Sequence, residues 1–216
     1  MHIGAFLASP IRSIMIKNII FDMGNVLIDF NPMQYIGELH LDDKEEEVKL
    51  FKAAYLNYKS IYMDYGKITE SEFVDHVVSG IGEKYRDKVA EVIMHWDQHL
   101  TPIKGMEELV KELKDKGYKI YLLSNAGFNQ HDYWTKIPAH KYFDGKVVSC
   151  DVGEVKPFPK IYEALYEKFD LKPEECFFID DLIINIFGAQ RTGMDGYVFT
   201  GDVKDLRKEL HERNIL

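Results

Sequence analysis

The sequence predicts an α/β fold: a Rossmann-like parallel sheet core with an all-helical segment inserted into it. From residue 101 onwards, short apolar runs that end in polar residues alternate with helical patterns of about 10 to 15 residues. A similar apolar run, residues 16–21, lies far upstream, and the sequence between these two regions contains only helical patterns. Alternating strands and helices of this kind form parallel sheets with right-handed connections.

The first predicted strand is the apolar run of residues 16–21, which stops abruptly at Asp22. Gly24 and Asn25 follow at once, which is typical of a buried parallel strand that ends in a tight turn. The carboxyl ends of the strands form the ligand crevice of an open α/β sheet, so Asp22 is a candidate functional residue. The alternative is that Asp22 only ends the strand or caps a helix.

The inserted helical segment is predicted to cover residues 31–100. Thr69, followed by Glu70 and Glu72, has the pattern of an N-cap with an acidic first turn, and the helix that it opens is predicted to run through residue 78. Two glycines beyond that residue are expected to end the helix. Further helices are predicted at 43–59 and 84–99, with turns at 29–32 and 63–68.

The rest of the chain supplies the other elements of the core. Strands are predicted at 118–123, 146–149, 176–179 and 196–199, and helices at 106–116, 159–169, 185–192 and 202–213. The predicted organisation is an N-terminal extension of residues 1–14, an α/β core of residues 15–30 and 101–216, and the helical segment between the two parts of the core.

Composition and charge limit the functions that fit this chain. A formal net charge of −9 argues against nucleic acid and against a membrane surface as partners, because both need a basic face. We find no run of about 18 apolar residues that would span a membrane, and residues 1–14 lack the basic start of a secretory signal. Cys150 and Cys176 lie in apolar runs and are predicted to be buried free thiols of a cytoplasmic protein.

Polar residues follow other elements of the predicted core. Ser124 and Asn125 follow the second strand, and their hydroxyl and amide groups could hold anionic oxygens. Lys156 lies in a stiff loop before a helix and offers a compact positive charge. Asp180 and Asp181 follow a later strand, and paired carboxylates beside a third one are suited to Mg²⁺. Together with a carboxylate nucleophile, these groups indicate phosphoryl transfer.

Each of these features has a structural alternative when it is taken singly. Ser124 and Asn125 could cap a helix, Lys156 could be a solvated loop charge, and the aspartate pair could form a turn. Their order along the chain, each at a strand end or in an adjoining loop, favours the functional interpretation.

This set of motifs resembles the haloacid dehalogenase superfamily over nearly the whole chain from residue 15 on. Residues 21–26 are similar to its first motif, 123–125 to its second, Lys156 with Pro157 to its third, and 179–181 with Asn185 to its fourth. The helical segment lies where the family carries its helical cap. The sequence of residues 22–26, with Asp29 downstream, is similar to the corresponding motif of a subgroup of sugar-phosphate phosphatases. This subgroup includes α-D-glucose-1-phosphate phosphatase.

The resemblance implies a phosphatase that works in two steps. Asp22 would attack phosphorus to form an aspartyl-phosphate, which water then hydrolyses. The implied Mg²⁺ ligands are the Asp22 carboxylate, the carbonyl oxygen of Gly24, Asp181 and Asp180. The implied phosphoryl-binding groups are Ser124, Asn125, Lys156 and the backbone amides of Met23 and Gly24, with Lys156 also expected to be catalytic.

The chain departs from the family pattern at Gly24. Most phosphatases of the superfamily carry a second aspartate at this position, two residues after the nucleophile, as general acid and base. Such help is typically worth about 10²–10⁴-fold in rate, so a replacement or a slow enzyme is expected. Asp29 is a candidate replacement, and the alternative is that Asp29 caps the helix that follows.

The partner is predicted to be a small-molecule phosphate ester, and specifically a sugar phosphate, and the protein to be a monomer or a homodimer. Aromatic and polar residues that could line a sugar pocket are Tyr55, Tyr58, Tyr62, Asp64, His131 and Trp134, although aromatic residues on helix faces more often belong to a core. The alternatives are a 2-haloacid dehalogenase, whose aspartate attacks carbon without a metal, a phosphomutase, and a catalytically weak regulatory protein of the same fold.

Overall fold

The computed structural model describes residues 15–41 and 43–216, so the predicted extension of residues 1–14 lies outside the described residues. The strands in the described part are β1 (Asn18–Phe21), β2 (Ile28–Asp29), β3 (Thr101–Pro102), β4 (Lys119–Ser124), β5 (Gly145–Val148), β6 (Cys176–Asp180) and β7 (Asp195–Val198).

Five of these strands form one parallel sheet in the order β5-β4-β1-β6-β7. β1 lies at the centre of this sheet, where Asn18 pairs with Lys119 of β4 on one side and with Cys176 of β6 on the other. The predicted α/β fold is therefore confirmed. Since the strands are parallel, the carboxyl ends of β1, β4 and β6 lie side by side at one edge.

Helices fill most of the remaining chain. Residues 31–100 contain α1 (Pro32–Glu38), α2 (Lys44–Tyr55), α3 (Ile61–Asp64), α4 (Glu70–Ile81) and α5 (Arg86–Met94). The later part contains α6 (Met106–Asp115), α7 (Gln130–Tyr133), α8 (Ser149–Val152), α9 (Pro159–Phe169), α10 (Ile183–Arg191) and α11 (Val203–Glu212). Short 3₁₀ helices lie at Tyr58–Ser60, Glu83–Tyr85, Trp96–His99, Trp134–Lys136, Pro138–Tyr142 and Pro173–Glu175. None of the helices in residues 15–41 and 43–216 has the length and apolar character needed to cross a membrane.

The helical segment, residues 31–100, differs in detail from the prediction. The sequence does not predict α1 or α3, because helices of 7 and 4 residues are too short for a clear periodicity. The predicted helix at 84–99 consists of α5 between two 3₁₀ turns. α4 begins at the predicted cap, where Thr69 and Glu72 form a reciprocal capping box, but it continues to Ile81 and ends only at Gly82.

A small sheet joins the two ends of the helical segment. β2 and β3 pair in antiparallel fashion, with Ile28 opposite Pro102 and Asp29 opposite Thr101. Each of these strands has 2 residues, which is too short for the alternating pattern that identifies strands in a sequence. The pairing returns the chain to the sheet close to the point from which it left.

Side chains of the parallel sheet are shared between two hydrophobic clusters. Ile19 and Phe21 of β1 pack with residues of α6 and α11 on one face, whereas Ile20 packs with α9 and α10 on the other. Covering both faces explains why the strands are continuously apolar in sequence. A third cluster, which includes Phe73 of α4 and Val89 of α5, lies within the helical segment.

The helical segment contacts the rest of the chain at the turn after α3. Gly66 has φ +63°, and a Cβ atom at this residue would lie 2.3 Å from the carbonyl oxygen of Cys150 in α8. Only glycine therefore fits this approach without a shift. A second contact connects Glu70 of the helical segment with Asn129 of the core. The Glu70 Oε1 accepts a hydrogen bond of 2.9 Å from the backbone N–H of Asn129. Both contacts position the helical segment over the carboxyl edge of the sheet.

Candidate active site

Asp22 is the first residue after β1, and its side chain lies at the carboxyl edge of the sheet. Its backbone N–H donates to the carbonyl oxygen of Ile179 in β6, over 2.9 Å, which continues the strand pairing by one residue. The residue is 8% exposed, so its carboxyl group is almost entirely shielded from water. Burial raises the pKa of Asp22, and the nearby ammonium of Lys156 acts in the opposite direction.

The Lys156 ammonium lies between two buried carboxylates. Its Nζ is 2.7 Å from Asp22 Oδ1 and 2.7 Å from Asp180 Oδ2. Burial alone would lower the pKa of Lys156, but the charges of Asp22 and Asp180 outweigh that effect and raise it. The lysine is therefore held in its charged form beside the candidate nucleophile.

Asp180 is fixed by the residues that follow it in the chain. Its Oδ1 accepts hydrogen bonds from the backbone N–H of Leu182, over 2.8 Å, and from the side-chain amide of Asn185, over 2.9 Å. The same amide lies 3.0 Å from Oδ2, the oxygen that also faces Lys156. These contacts occupy both oxygens of Asp180, so its main effect in this arrangement is to hold the lysine.

Asp181 points to the turn that follows β1. Asn25 of that turn donates from its side-chain amide to Asp181 Oδ2, over 3.0 Å, and its own Oδ1 accepts from the backbone N–H of Phe30. Asn25 has φ +54°, a left-handed conformation that asparagine tolerates better than most residues. The sequence indicates Asn25 only as a turn residue, and its contact with Asp181 is not predictable from the local pattern.

The three aspartates form a group that fits a divalent cation. Asp22, Asp180 and Asp181 each offer a carboxylate oxygen, and these oxygens lie within 4.8 Å of one another. Hard oxygen ligands of this kind suit Mg²⁺, which is bound in proteins by one or two carboxylates together with waters and substrate oxygens. Since the oxygens of Asp180 are largely occupied, Asp22 and Asp181 are the better placed of the three.

Ser124 is the last residue of β4 and Asn125 follows it, so both lie at the carboxyl edge of the sheet, as the sequence predicts. Ser124 is 1% exposed. Asn125 uses its side-chain amide to bind the backbone of Lys156, donating to its carbonyl oxygen and accepting from its N–H. The phosphoryl-binding role assigned to Asn125 stays a prediction, and its observed contacts position the lysine.

All of these site residues except Asp180, which is buried behind Lys156, line one cavity of about 430 Å³ between the sheet edge and the helical segment. Its polar end is lined by Asp22, Met23, Gly24, Ser124, Lys156 and Asp181. The wall contributed mainly by the helical segment is largely apolar and includes Phe30, Ala54, Met63, Val92, Ile93 and Trp96. Tyr55, Ser60 and Asp64 also line this wall.

Some of the predicted site residues lie elsewhere. Asp29 is exposed on β2 and does not line the cavity, although Ile28 and Phe30 on either side of it do. Asn31, and not Asp29, caps α1. Of the six candidates for a sugar pocket, all within the described residues, Tyr55 and Asp64 line the cavity, and Tyr58, Tyr62, His131 and Trp134 do not.

Comparison with known proteins identifies the family. A family model of haloacid dehalogenase-like hydrolases matches residues 16–193, which is most of the chain. The chain belongs to this family. The predicted superfamily is therefore confirmed. Membership of the subgroup that includes α-D-glucose-1-phosphate phosphatase stays a prediction.

Relatives of this haloacid dehalogenase-like hydrolase include phosphatases. A sesquiterpene phosphatase of Aspergillus oryzae is 28% identical over 191 residues, which are 85% of this chain and 90% of that protein. The pyrophosphatase PpaX of Bacillus cereus is 27% identical over 186 residues, 82% of this chain and 80% of that protein. A haloacid dehalogenase family enzyme of Bacteroides thetaiotaomicron, solved in complex with magnesium and inorganic phosphate, is similar with a TM-score of 0.69 and 26% identity, and the match covers 88% of this chain and 98% of that one.

Proposed function

We propose that this hydrolase is a Mg²⁺-dependent phosphatase of small phosphate monoesters, acting through an aspartyl-phosphate on Asp22. The observation that carries the proposal is the position of the Lys156 ammonium, 2.7 Å from both Asp22 and Asp180, beside the third carboxylate of Asp181. A nucleophile, a fixed positive charge and a set of oxygen ligands are what phosphoryl transfer requires.

The reaction would proceed in two displacements at phosphorus. A carboxylate oxygen of Asp22 attacks phosphorus while the bond from phosphorus to the alcohol oxygen breaks, and a water molecule then attacks the aspartyl-phosphate to release inorganic phosphate and free Asp22. Lys156, Ser124 and the backbone amides of Met23 and Gly24, which line the same cavity, would bind the phosphoryl oxygens. Asp22, Asp181 and the carbonyl oxygen of Gly24 would hold Mg²⁺, with Asp180 held beside them by Lys156 and Asn185, and the metal would supply Lewis-acid stabilisation of charge on those oxygens.

A 2-haloacid dehalogenase would use the same aspartate to attack carbon, and it would need no metal. The cluster of Asp22, Asp180 and Asp181 favours phosphoryl transfer over this alternative, since Lys156 pairs with Asp22 and Asp180 and the third carboxylate, Asp181, is left beside Asp22 as an oxygen ligand for a metal. The complex of the Bacteroides enzyme with magnesium and inorganic phosphate gives further support.

Two substrate classes fit the cavity. The predicted sugar phosphate is supported by Ser60 and Asp64, whose polar groups line the wall opposite the catalytic end. A phosphate ester of an apolar alcohol is favoured by the aromatic and aliphatic remainder of that wall, including Phe30 and Trp96, and the Aspergillus relative is a sesquiterpene phosphatase. Tyr55 offers little to a sugar, because its hydroxyl already donates to the carbonyl oxygen of Val92.

The predicted cytoplasmic location also belongs to this proposal. Cys150 and Cys176 are free and buried, as predicted, which supports a protein that works in a reducing compartment.

The test is phosphate release from a panel of sugar phosphates, nucleotide monophosphates, alkyl and isoprenoid monophosphates and inorganic pyrophosphate, with Mg²⁺ and with chelator. We expect metal-dependent release that is lost in Asp22→Asn and kept in Asp205→Asn, which changes an exposed aspartate on α11. The proposal would be overturned if the wild-type enzyme, with Mg²⁺ present, released phosphate from no member of the panel. The preferred ester decides between the two substrate classes.

A further inference from the structure

Breaking the ester bond leaves a negative charge on the alcohol oxygen, and an ordinary alcohol needs a proton there. The chain offers no side chain at Gly24 for this purpose, and Lys156 is already held between Asp22 and Asp180. We propose that Asp64, which reaches the site from the helical segment, is the general acid and base of this phosphatase. This inference rests on the proposed function. Asp64 would give its proton to the leaving oxygen and then take one from the attacking water, so that each turnover restores it.

Asp64 lies on the wall of the cavity that faces the catalytic end. It is the last residue of α3, and it lines the same cavity as Asp22 and Lys156. Among the described residues, its carboxylate makes no hydrogen bond and no ion pair. The other acidic side chain on this wall, Glu70, is occupied by the backbone N–H of Asn129. Of the two carboxylates that the described helical segment contributes to this wall, Asp64 is therefore the one that remains available to a substrate.

The turn after α3 fixes the position of Asp64. The backbone N–H of Tyr65 donates to Ile61, over 3.0 Å, and that of Gly66 donates to Met63, over 2.8 Å. Gly66 then packs so closely on α8 that no side chain fits there. α8 follows β5 directly, so this contact ties Asp64 to the edge of the sheet that carries the catalytic residues.

The electrostatic environment of Asp64 suits a group that both gives and takes a proton. Burial raises the pKa of Asp64 to about 6, with Lys156 acting in the opposite direction. A carboxyl group with this pKa exists in both forms near neutral pH, as general acid–base catalysis requires. The other titratable side chains that line the cavity are Asp22, Tyr55, Glu70, Tyr133, Lys156 and Asp181.

Asp29, the other candidate for the general acid and base, is less well placed than Asp64. Asp29 is exposed on β2, and the cavity is lined by its neighbours Ile28 and Phe30 because successive residues of a strand point to opposite sides. A proton donor must come within hydrogen-bonding distance of the leaving oxygen. Asp64 lines the cavity that also contains Asp22 and Lys156, whereas Asp29 does not.

The decisive experiment compares two esters that differ in their need for a proton. An alkyl phosphate has a poor leaving group, whereas p-nitrophenyl phosphate releases an anion that is stable without protonation. We expect Asp64→Asn to lower kcat/KM for the alkyl ester by about 10²–10⁴-fold and to change that for p-nitrophenyl phosphate little. Glu70→Gln is the matched control, because it makes the same chemical change on the same wall and should affect both esters by one common factor.

A second variant tests the same role by restoring it elsewhere. A Cβ atom at residue 24 would meet only the Cβ of Phe30, at an ordinary contact distance of 3.8 Å, so the backbone there accommodates the start of a side chain. Gly24→Asp added to Asp64→Asn should therefore recover a large part of the lost rate on the alkyl ester. If Asp64→Asn loses the same rate on both esters, or loses none on the alkyl ester, Asp64 is not the general acid and base. Either result would leave the proposed phosphatase function intact. Absence of phosphate release by the wild-type enzyme would overturn the proposed function as well.

Discussion

Asn125 and Lys156 are joined by a pair of hydrogen bonds between one side chain and one backbone unit. The Asn125 amide donates to the carbonyl oxygen of Lys156 over 3.0 Å, and its oxygen accepts from the Lys156 N–H over 2.8 Å. The ammonium of the same lysine lies 2.7 Å from Asp22. Asn125, at the end of β4, therefore sets the position of a charge that acts beside β1.

Removal of the Asn125 side chain should displace Lys156. We expect Asn125→Ala to lower kcat by about 10²-fold, because small displacements of a charged group in an active site have effects of this size. The free energy of unfolding should fall by about 1–3 kcal/mol, since two backbone groups lose their partners. Steady-state kinetics with the preferred ester and denaturant unfolding measure the two effects.

Asn57→Ala is the matched control for Asn125→Ala. The Asn57 side chain also makes two hydrogen bonds to backbone, with Ala53 and Lys59, but it lies outside the cavity. This variant should lose stability and keep its turnover number. A turnover number that is unchanged in Asn125→Ala would contradict the positioning role.

The sequence predicts the parts of the site that depend on strand ends. Asp22, Ser124 and Asp180 are recognisable because each follows an apolar run, and the parallel sheet then brings these ends together. Asn25 and Asp64 are not recognisable in this way. The contact of Asn25 with Asp181 and the approach of Asp64 to the cavity join residues that are distant in the chain. Such contacts depend on how a turn or a helix packs against the rest of the chain. The local sequence pattern does not predict this packing.

The turn at Gly66 offers a direct test of how the helical segment is positioned. Gly66→Ala must accommodate both an unfavourable φ of +63° and a Cβ atom 2.3 Å from the Cys150 carbonyl oxygen. We expect this variant to lose activity on the preferred ester by at least about tenfold, because the wall that carries Asp64 would move. Stability should fall as well, and both quantities can be measured on one preparation.

Gly117→Ala is the control that separates the two effects of Gly66→Ala, the steric clash and the backbone strain. Gly117 has φ +97°, and a Cβ atom there would meet nothing within 4 Å. This variant should be destabilised by about 1–2 kcal/mol through its backbone conformation and should keep its kcat. Equal kinetic effects in the two variants would show that the contact with α8 does not position the catalytic wall.

The raised pKa of Asp64 has a consequence for stability. Its pKa rises from an ordinary value of 3.8 to about 6, so the folded protein binds this proton more tightly than the unfolded chain does. The favourable contribution of the neutral form is present below pH 3.8 and is lost as the pH rises through about 6. The unfolding free energy of the wild type, relative to Asp64→Asn, should thus fall by about 1–3 kcal/mol between pH 4 and 7. Denaturant unfolding of both proteins across this range measures the difference, and a constant difference would contradict the buried environment of Asp64.

The same ionisation should appear in the pH dependence of catalysis. The acid role in the first displacement needs protonated Asp64, whose pKa is about 6. For an alkyl phosphate, kcat/KM of the wild type should therefore decrease as the pH rises above about 6, approaching a tenfold loss for each pH unit. Because the phosphate group of the substrate also titrates in this range, the profile has to be divided by that of Asp64→Asn on the same ester. The quotient removes the ionisation of the substrate and leaves the contribution of Asp64, which should be large below pH 6 and small at pH 8. A quotient that is independent of pH would assign the proton transfer to another group.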